Sequence, residues 1–127
     1  AIPAQVIASS YPDAVYEPNN VADRHYGTLW QPVEADTLPV LEVMYHQVIQ
    51  SSDIRIRFEY PWKRYYFLAE TSSDGTSWEL VKDYSTVGVD GSPVTLSTSL
   101  PFKHLRLSFA QHPDAAWPAV WEVEVEK

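Results

Sequence analysis

A chain of 127 residues is long enough to bury a core in one domain, and we treat residues 1–127 as a single domain. Lys and Arg number 9 against 17 Asp and Glu; the resulting net charge of −8 disfavours polyanions and so excludes nucleic acid and anionic membrane surfaces as expected partners. The absence of cysteine excludes a disulfide framework and a thiolate metal site.

No export or membrane-spanning segment is visible in the sequence. The apolar runs are all far shorter than the ~20 residues of a transmembrane helix. The first ten residues, "AIPAQVIASS", have neither the basic nor the apolar region of a signal peptide. We therefore expect either that a signal peptide has been removed or that the chain is a module of a longer protein.

The first predicted strand, residues 4–9, is followed by a polar segment that does not fit a strand. Residues 17–30, "EPNNVADRHYGTLW", are rich in Asn, Asp, Gly and Thr ahead of a Trp. Asn19 or Asn20 can cap a helical turn that begins within this segment. We predict one helical turn there and otherwise irregular backbone.

Several hard oxygen donors lie in the same segment. Asp23 offers a carboxylate and Thr28 a hydroxyl, while irregular backbone around Val21 and His25 leaves carbonyl groups free. Ca²⁺ prefers about six to eight such oxygen ligands, and Glu122 on the last predicted strand is a candidate for the second carboxylate. In a plainer interpretation Asp23 caps the helical turn and Glu122 lies on a solvated strand face.

Apolar and polar residues alternate in most of the remaining segments, which is typical of half-buried antiparallel strands. In "DIRIRFEY", residues 53–60, the apolar side chains at 54, 56 and 58 oppose charged ones at 55, 57 and 59. In "WEVEVEK", the last segment, alternation points Trp121 inward and Glu122 outward. The predicted strands after the first are 39–45, 53–60, 64–71, 78–84, 93–98, 104–109 and 121–127.

A hairpin is predicted at "ETSSDGTSWELVKDYS", residues 70–85. Ser73, Asp74, Gly75 and Thr76 separate two apolar runs, and an Asp-Gly pair readily adopts the left-handed backbone of a tight turn. About eight strands joined by such turns predict an all-β fold, an antiparallel β-sandwich or jelly roll.

Seven short segments occur in an order that belongs to a known family. They are "IASS" at 7–10, "NNVADRHYGTLW" at 19–30, "LEV" at 41–43, "IRIRF" at 54–58, "ETSSDGTSWELV" at 70–81, "FKHLRLSF" at 102–109 and "VWEVEV" at 120–125. The sequence resembles the discoidin superfamily (coagulation-factor type C domains), in particular its galactose-binding-like branch with the family 32 carbohydrate-binding modules. This resemblance covers almost the whole chain. It implies a β-sandwich jelly roll with a structural calcium site near one end and a ligand surface formed by loops at that end.

The resemblance also assigns roles to individual residues. Asp23, Thr28 and Glu122 match the family's calcium ligands, and backbone oxygens around Val21 and His25 supply the remainder. Two positions depart from the family pattern: an arginine stands at 24 where glycine is usual, and a histidine stands at 25 where Asp or Asn is usual. The family also buries core aromatic residues at the positions of Trp30 and Trp78.

Two tryptophans lie in predicted loops, where an exposed ring can stack on the C–H face of a sugar. Trp62 follows a proline that interrupts the strand, and Lys63 and Arg64 beside it supply hydrogen-bond donors. Trp117 lies between two prolines, close to His112. In the plainer interpretation Trp62 covers the sandwich edge, and the basic pair belongs to a solvated loop.

A third polar loop follows Trp30 and contains Gln31, Glu34 and Asp36. In the family that the sequence resembles, this loop and the two tryptophan loops lie at the same end of the sandwich and supply sugar contacts. We therefore predict a ligand site formed by Gln31, Glu34, Trp62, Lys63, Arg64, His112 and Trp117.

No pattern of an enzyme is present: the chain lacks a nucleophile elbow, a phosphate loop and an H-E-x-x-H motif. We predict a non-catalytic carbohydrate-binding module that targets a larger glycan-active enzyme to its polysaccharide. Its partners would be a carbohydrate and the catalytic domain of that enzyme, and its location secreted, periplasmic or at the surface of a bacterial cell. The alternative is a protein- or lipid-binding domain of the discoidin type.

Overall fold

The structure, a computed structural model, describes residues 3–25, 27–50 and 52–126, so the end of the last predicted strand at residue 127 lies outside it. These ranges contain two short 3-10 helices, Ala14–Tyr16 and Pro18–Ala22, and no helix with the length and hydrophobicity that a membrane crossing needs. The described strands are β1 (Pro3–Ala8), β2 (Val40–Ile49), β3 (Ser52–Phe58), β4 (Arg64–Tyr65), β5 (Phe67–Ser72), β6 (Glu79–Asp83), β7 (Val89–Asp90), β8 (Val94–Thr98), β9 (Phe102–Phe109) and β10 (Val120–Glu126).

The strands form an antiparallel β-sandwich, which confirms the predicted fold class. One sheet has the order β1-β2-β9-β5-β6, the second has the order β10-β3-β8, and β4 pairs with β7 in a small ribbon. The ten described strands exceed the predicted eight for two reasons. The two-residue strand β7 is too short to show alternation, and the predicted strand 64–71 is divided at Tyr66 between the ribbon and β5.

Alternating residues of the two sheets meet in the core as predicted. The apolar positions of β3 and β9 are almost fully buried. At the centre, the ring of Phe58 stacks on that of Tyr65, with ring centres 3.9 Å apart and planes 11° apart. Phe67 and Phe109 pack against Phe58 at tilted or perpendicular angles. Burying one such side chain contributes roughly 1.5–3 kcal/mol, so this cluster is a main source of stability.

Trp30 belongs to the core, as predicted. Its side chain is fully buried, and its indole Nε1 donates a hydrogen bond to the Ser10 carbonyl at 3.0 Å. Its backbone exchanges two hydrogen bonds of 2.9 Å with Val120, at the start of β10. Trp30 therefore connects the polar segment before it to the last strand.

The prediction that Trp78 is a core residue is wrong. The indole is only partly buried and lies on the outer face of the five-stranded sheet. There the Arg106 guanidinium stacks 3.9 Å from its ring centre, and Glu70 accepts a 2.9 Å hydrogen bond from Arg106. Trp78 precedes β6 instead of lying within it, so strand alternation does not determine its direction.

The predicted directions of Trp121 and Glu122 are also wrong. A register shift in the pairing of β10 with β3 falls between Val120 and Glu122, and the extra residue reverses the alternation at that point. Trp121 is consequently only partly buried, whereas Glu122 is 3% exposed.

The helical turn in the polar segment begins earlier than predicted, at Pro18. Asn20 lies inside the turn, so neither Asn19 nor Asn20 is the capping residue; that position belongs to Glu17, whose side chain makes no capping bond. The buried amide of Asn20 instead donates hydrogen bonds to the carbonyl of Val15 at 2.7 Å and to that of residue 29 at 2.9 Å. Asn20 thereby links the backbone before the helical turn to the backbone near the end of the polar segment.

Candidate functional site

Three loops meet at one end of the sandwich, and backbone hydrogen bonds hold them together. The Phe109 amide donates to the Pro39 carbonyl at 2.8 Å, which joins the end of β9 to the loop before β2. The Ala116 amide donates to the Arg64 carbonyl at 2.8 Å, which joins the loop after β9 to the start of β4, directly after the loop that follows β3. The predicted ligand loops are therefore neighbours.

An open groove of about 520 Å³ runs between the loop before β2 and the loop after β9. We call it the main groove; its walls include Glu34, Asp36, Tyr66, His112, Ala116 and Trp117. Trp117 is 38% exposed, so one part of its indole is available to a ligand. The volume of the main groove lies within the usual range of ligand pockets, about 300–1,000 Å³.

One wall of the main groove is an aromatic pair that the sequence did not indicate. Tyr66 is buried, and the His112 imidazole stacks on its ring with centres 4.1 Å apart and planes 11° apart. The Asp114 amide donates to His112 Nδ1 at 3.1 Å, so the neutral ring carries its hydrogen on Nε2. His112 is thus held as a hydrogen-bond donor. The adjacent tyrosines 65 and 66 are the available signal in the sequence; a regular strand would bury only one of two adjacent side chains, whereas the structure buries both.

A close backbone approach supports the same pair. A Cβ atom at Gly88, where φ is +72°, would lie 2.8 Å from the Tyr66 ring and from Cγ of Arg64. A side chain is therefore excluded sterically at this position, and the left-handed backbone also favours glycine. Gly88 allows the loop before β7 to cover Tyr66.

Asp36 is a brace for its loop. Its Oδ2 accepts hydrogen bonds from the hydroxyls of Ser9 and Ser10, each at 2.6 Å, and its Oδ1 accepts one from the Leu38 amide at 3.3 Å. Partial burial raises the pKa of this carboxyl, but the bonds from Ser10, Ser9 and Leu38 outweigh that effect, and the net pKa is lowered. Asp36 therefore stays ionised, and both of its carboxylate oxygens accept hydrogen bonds from its own chain.

A second groove, of about 490 Å³, lies beside the main groove. It is lined by Pro12, Gln31, Pro32, Val33, Glu34 and Trp117. Glu34 and Trp117 therefore belong to both grooves. Among the described residues, no hydrogen bond or ion pair engages the exposed Glu34 carboxylate.

The structure places the predicted residues of the 60–64 loop outside both grooves. Trp62 is 74% exposed and packs against Tyr60, with ring centres 5.4 Å apart. The Lys63 ammonium lies 4.2 Å from the centre of the same Tyr60 ring. Arg64 makes two hydrogen bonds to Asp90, at 2.9 and 3.3 Å, and these bonds raise its pKa. The basic pair is thus committed within its own loop and ribbon.

The predicted calcium donors come together at the start of β10. The Thr28 hydroxyl lies 2.5 Å from Asp23 Oδ2 and 3.2 Å from the His25 carbonyl oxygen. Val21 is fully buried in the helical turn, which packs against β10. Within the described residues, no three acidic, His or Cys side chains are grouped as a metal site. A cation here would therefore depend on the hydroxyl and on backbone carbonyls besides two carboxylates.

Glu122 is the buried member of this cluster. Its Oε1 has no hydrogen-bond partner among the described residues. Burial raises the pKa of Glu122 to about 7, and the negative charges of Asp23 and Glu124 act in the same direction against a hydrogen bond from the Arg24 backbone. A buried carboxyl with an unpartnered oxygen beside a second carboxylate is suited to a cation.

Arg24 adopts the left-handed conformation, with φ of 62°. A side chain in this region costs roughly 1–2 kcal/mol, which glycine avoids. Arginine at position 24 therefore adopts a backbone conformation that favours glycine, and it does so with added strain. His25 contributes its carbonyl to the cluster, and its backbone amide donates to Asp23 Oδ1 at 2.8 Å.

No protein-family model matches the chain, and no curated protein matches it. Several solved structures match the chain. A "Glycoside hydrolase" matches with a TM-score of 0.84 and 21% identity. The match covers 98% of this chain but only 31% of the hydrolase chain.

Chitosan-binding module 2 in complex with chitotriose, from a chitosanase/glucanase of Paenibacillus sp. IK-5, matches with a TM-score of 0.83 and 20% identity, over 100% of this chain and 98% of that one. CpGH89CBM32-4 of Clostridium perfringens, in complex with GlcNAc-α-1,4-galactose, gives a TM-score of 0.84 and 14% identity, over 98% of this chain and 91% of that one. At these identities the likeness establishes a shared fold.

Proposed function

We propose that this chain is a non-catalytic carbohydrate-binding module whose ligand lies in the main groove against Trp117. The observation that carries the proposal is the partly exposed indole in a shallow groove that also holds the His112 donor and the Glu34 carboxylate. An aromatic face with a few placed polar groups is what a sugar needs. The fold shared with solved carbohydrate-binding modules supports it, and we assign the chain to the galactose-binding-like branch of the discoidin superfamily.

The acidic groups of the groove support binding without hydrolysis. Glycoside hydrolysis uses a pair of carboxyl groups that flank the bond to be broken, about 5–9.5 Å apart. Two of the described acidic side chains line the main groove, and one of them, Asp36, accepts hydrogen bonds from Ser9, Ser10 and Leu38. Of this pair only Glu34 is available to a ligand, and a single carboxylate cannot form a catalytic pair.

The charge of the site favours a cationic sugar. Among the residues that the structure describes, no Lys or Arg lines either groove; Glu34 belongs to both grooves, and the net charge of the chain is −8. A protonated amine on the ligand can form a charge-assisted hydrogen bond with Glu34, whereas a uronic acid is repelled. We propose oligomers of glucosamine as the ligand; a solved neighbour of the same fold is a chitosan-binding module in complex with chitotriose.

Titration calorimetry with a glucosamine trimer tests the function. Trp117→Ala should weaken binding at least ten-fold, about 1.4 kcal/mol, because a partly buried Trp at the centre of a site contributes more than most contacts. Leu80→Ala is the control, since Leu80 is 61% exposed on the edge strand β6. Unchanged binding by the Trp117 variant would contradict the proposal, and binding to anionic vesicles with none to glycans would favour the lipid-binding alternative.

We further propose that Ca²⁺ occupies the cluster at the start of β10. Asp23, Thr28 and Glu122 would supply side-chain oxygens, and Val21 and His25 would supply backbone carbonyls. The unpartnered Oε1 of Glu122 supports this assignment, because a buried carboxylate oxygen without a partner is costly unless a cation compensates it. The ion would hold the polar segment to the last strand and have a structural role.

The proposed biological setting is an exported bacterial enzyme that acts on glycans and carries this module as an appendage. The glycoside hydrolase that shares the fold over 31% of its length supports such an arrangement. A shallow site for a few sugar units is expected to bind with a Kd on the order of 10 µM to 1 mM, about −7 to −4 kcal/mol. Linkage to a catalytic domain would raise the effective affinity for a polymer.

A further inference from the structure

We propose that the second groove is a further sugar subsite, so that the ligand is a chain of at least two sugar units that passes across Trp117. This inference rests on the proposed function of the main groove. It assigns the proposed oligomer a second place of contact, beside the main groove.

The geometry of the two grooves is the first argument. At about 520 and 490 Å³, each falls within the usual size of a ligand pocket, about 300–1,000 Å³. Glu34 and Trp117 line both of them. Consecutive units of one chain would therefore share the same aromatic ring and the same carboxylate.

The chemistry of the second groove is the second argument. Pro12, Pro32 and Val33 provide apolar surface for the C–H face of a sugar ring, and the Gln31 amide provides both a donor and an acceptor for hydroxyl groups. The same combination of apolar face and planar polar group occurs in the main groove with Trp117 and His112. Both grooves are thus suited to the same kind of unit.

The walls of the second groove are already fixed without ligand. The Val33 amide donates to the Ser10 hydroxyl at 3.1 Å, and the Asp36 amide donates to the Val33 carbonyl at 3.0 Å. The Ala119 amide donates to the Trp117 carbonyl at 2.8 Å. A preformed groove loses little conformational entropy on binding, so a second unit can add affinity.

Binding of glucosamine monomer, dimer, trimer and tetramer to the full chain, measured by calorimetry, tests the inference. We expect affinity to rise at least ten-fold from the monomer to the dimer or trimer. Gln31→Ala should lower the affinity for the trimer at least five-fold more than that for the monomer. His112→Ala, in the main groove, should weaken both ligands by similar factors.

Chemical-shift mapping provides a second measurement that does not depend on a variant. The Gln31 and Val33 amides should shift with the dimer and longer oligomers, and the monomer should shift only resonances of the main groove. Equal affinity at every length, or an equal effect of Gln31→Ala on monomer and trimer, overturns the second subsite and leaves the proposed function intact. Absence of binding at every length overturns both.

Discussion

Glu34 combines exposure, a place in both grooves and a carboxylate that no described residue engages. Asp36, two residues later, has the opposite role, because its oxygens are occupied by hydrogen bonds from its own chain. Similar side chains thus differ in function through their hydrogen bonds. Both residues belong to one predicted polar loop, in which only Glu34 is predicted to contact a ligand, and the structure supplies the physical distinction between them.

The charge of Glu34 is expected to decide between cationic and neutral sugars. Glu34→Gln should weaken binding of a glucosamine trimer about ten-fold, since a hydrogen bond to a charged group contributes about 1.5–3 kcal/mol. Affinity for the N-acetylated trimer, which has no amine charge, should change less than two-fold. Calorimetry at low ionic strength measures both. Glu79→Gln, an exposed change on β6 with the same loss of charge, is the control; an equal effect of the two variants would refute a direct role for Glu34.

At the scale of elements, alternation predicts strands well and their ends poorly. The facing residues of β3 and β9 are buried as expected, because period two is a local property of an extended backbone. Trp121 and Glu122 point in directions opposite to those expected. The bulge that reverses them arises in the pairing of β10 with β3, so the sequence of β10 alone does not reveal it. Trp78 differs for another reason: it precedes its strand, and the hairpin turn before it lies over His104.

The loop of residues 31–38 should depend on Asp36 for its stability. Asp36→Asn replaces a charged acceptor of three hydrogen bonds, and we expect the free energy of unfolding at pH 7 to fall by about 1 kcal/mol. The folded-state pKa of Asp36 is lowered, so its contribution is present above the unfolded value of about 3.9 and is lost as pH falls through the folded value. Urea melts at a series of pH values from 7 downward check this, and the difference between wild type and variant should shrink as pH falls below the unfolded pKa. A difference that stays constant across the whole series would contradict the assignment.

At the scale of the whole molecule, the cluster of Asp23, Thr28 and Glu122 connects the polar segment to the last strand. In the absence of a cation, folded Glu122 stays protonated up to its raised pKa of about 7, whereas the same carboxyl in the unfolded chain ionises near its ordinary value of 4.5. The free energy of unfolding therefore falls as pH rises between these two values and stays at the lower level above them. A bound divalent ion would reverse this, because the ionised carboxylate would then be the stable form. The stability of the sandwich should therefore respond to calcium.

Calorimetric melts of EDTA-treated protein at pH 8 test the calcium proposal. Ca²⁺ at about 100 times its Kd should add about 2.7 kcal/mol, which for a chain of this size raises Tm by roughly ten degrees. Glu122→Gln should abolish the response and, without calcium, melt no lower than wild type because it buries no charge. Glu79→Gln should respond as wild type does. An identical Tm with and without Ca²⁺ would end the proposal.

The sequence by itself determined the class of fold, the Asp-Gly turn, the burial of Trp30 and the acidic character of the surface. These properties depend on short-range periodicity, on the backbone preferences of single residues and on composition. Tertiary structure alone decided that Glu34 and Trp117 share two grooves, that Tyr66 supports His112 and that Glu122 is buried. Each of these requires segments distant in the chain to meet, and the register and loop packing that bring them together are not encoded in any local pattern.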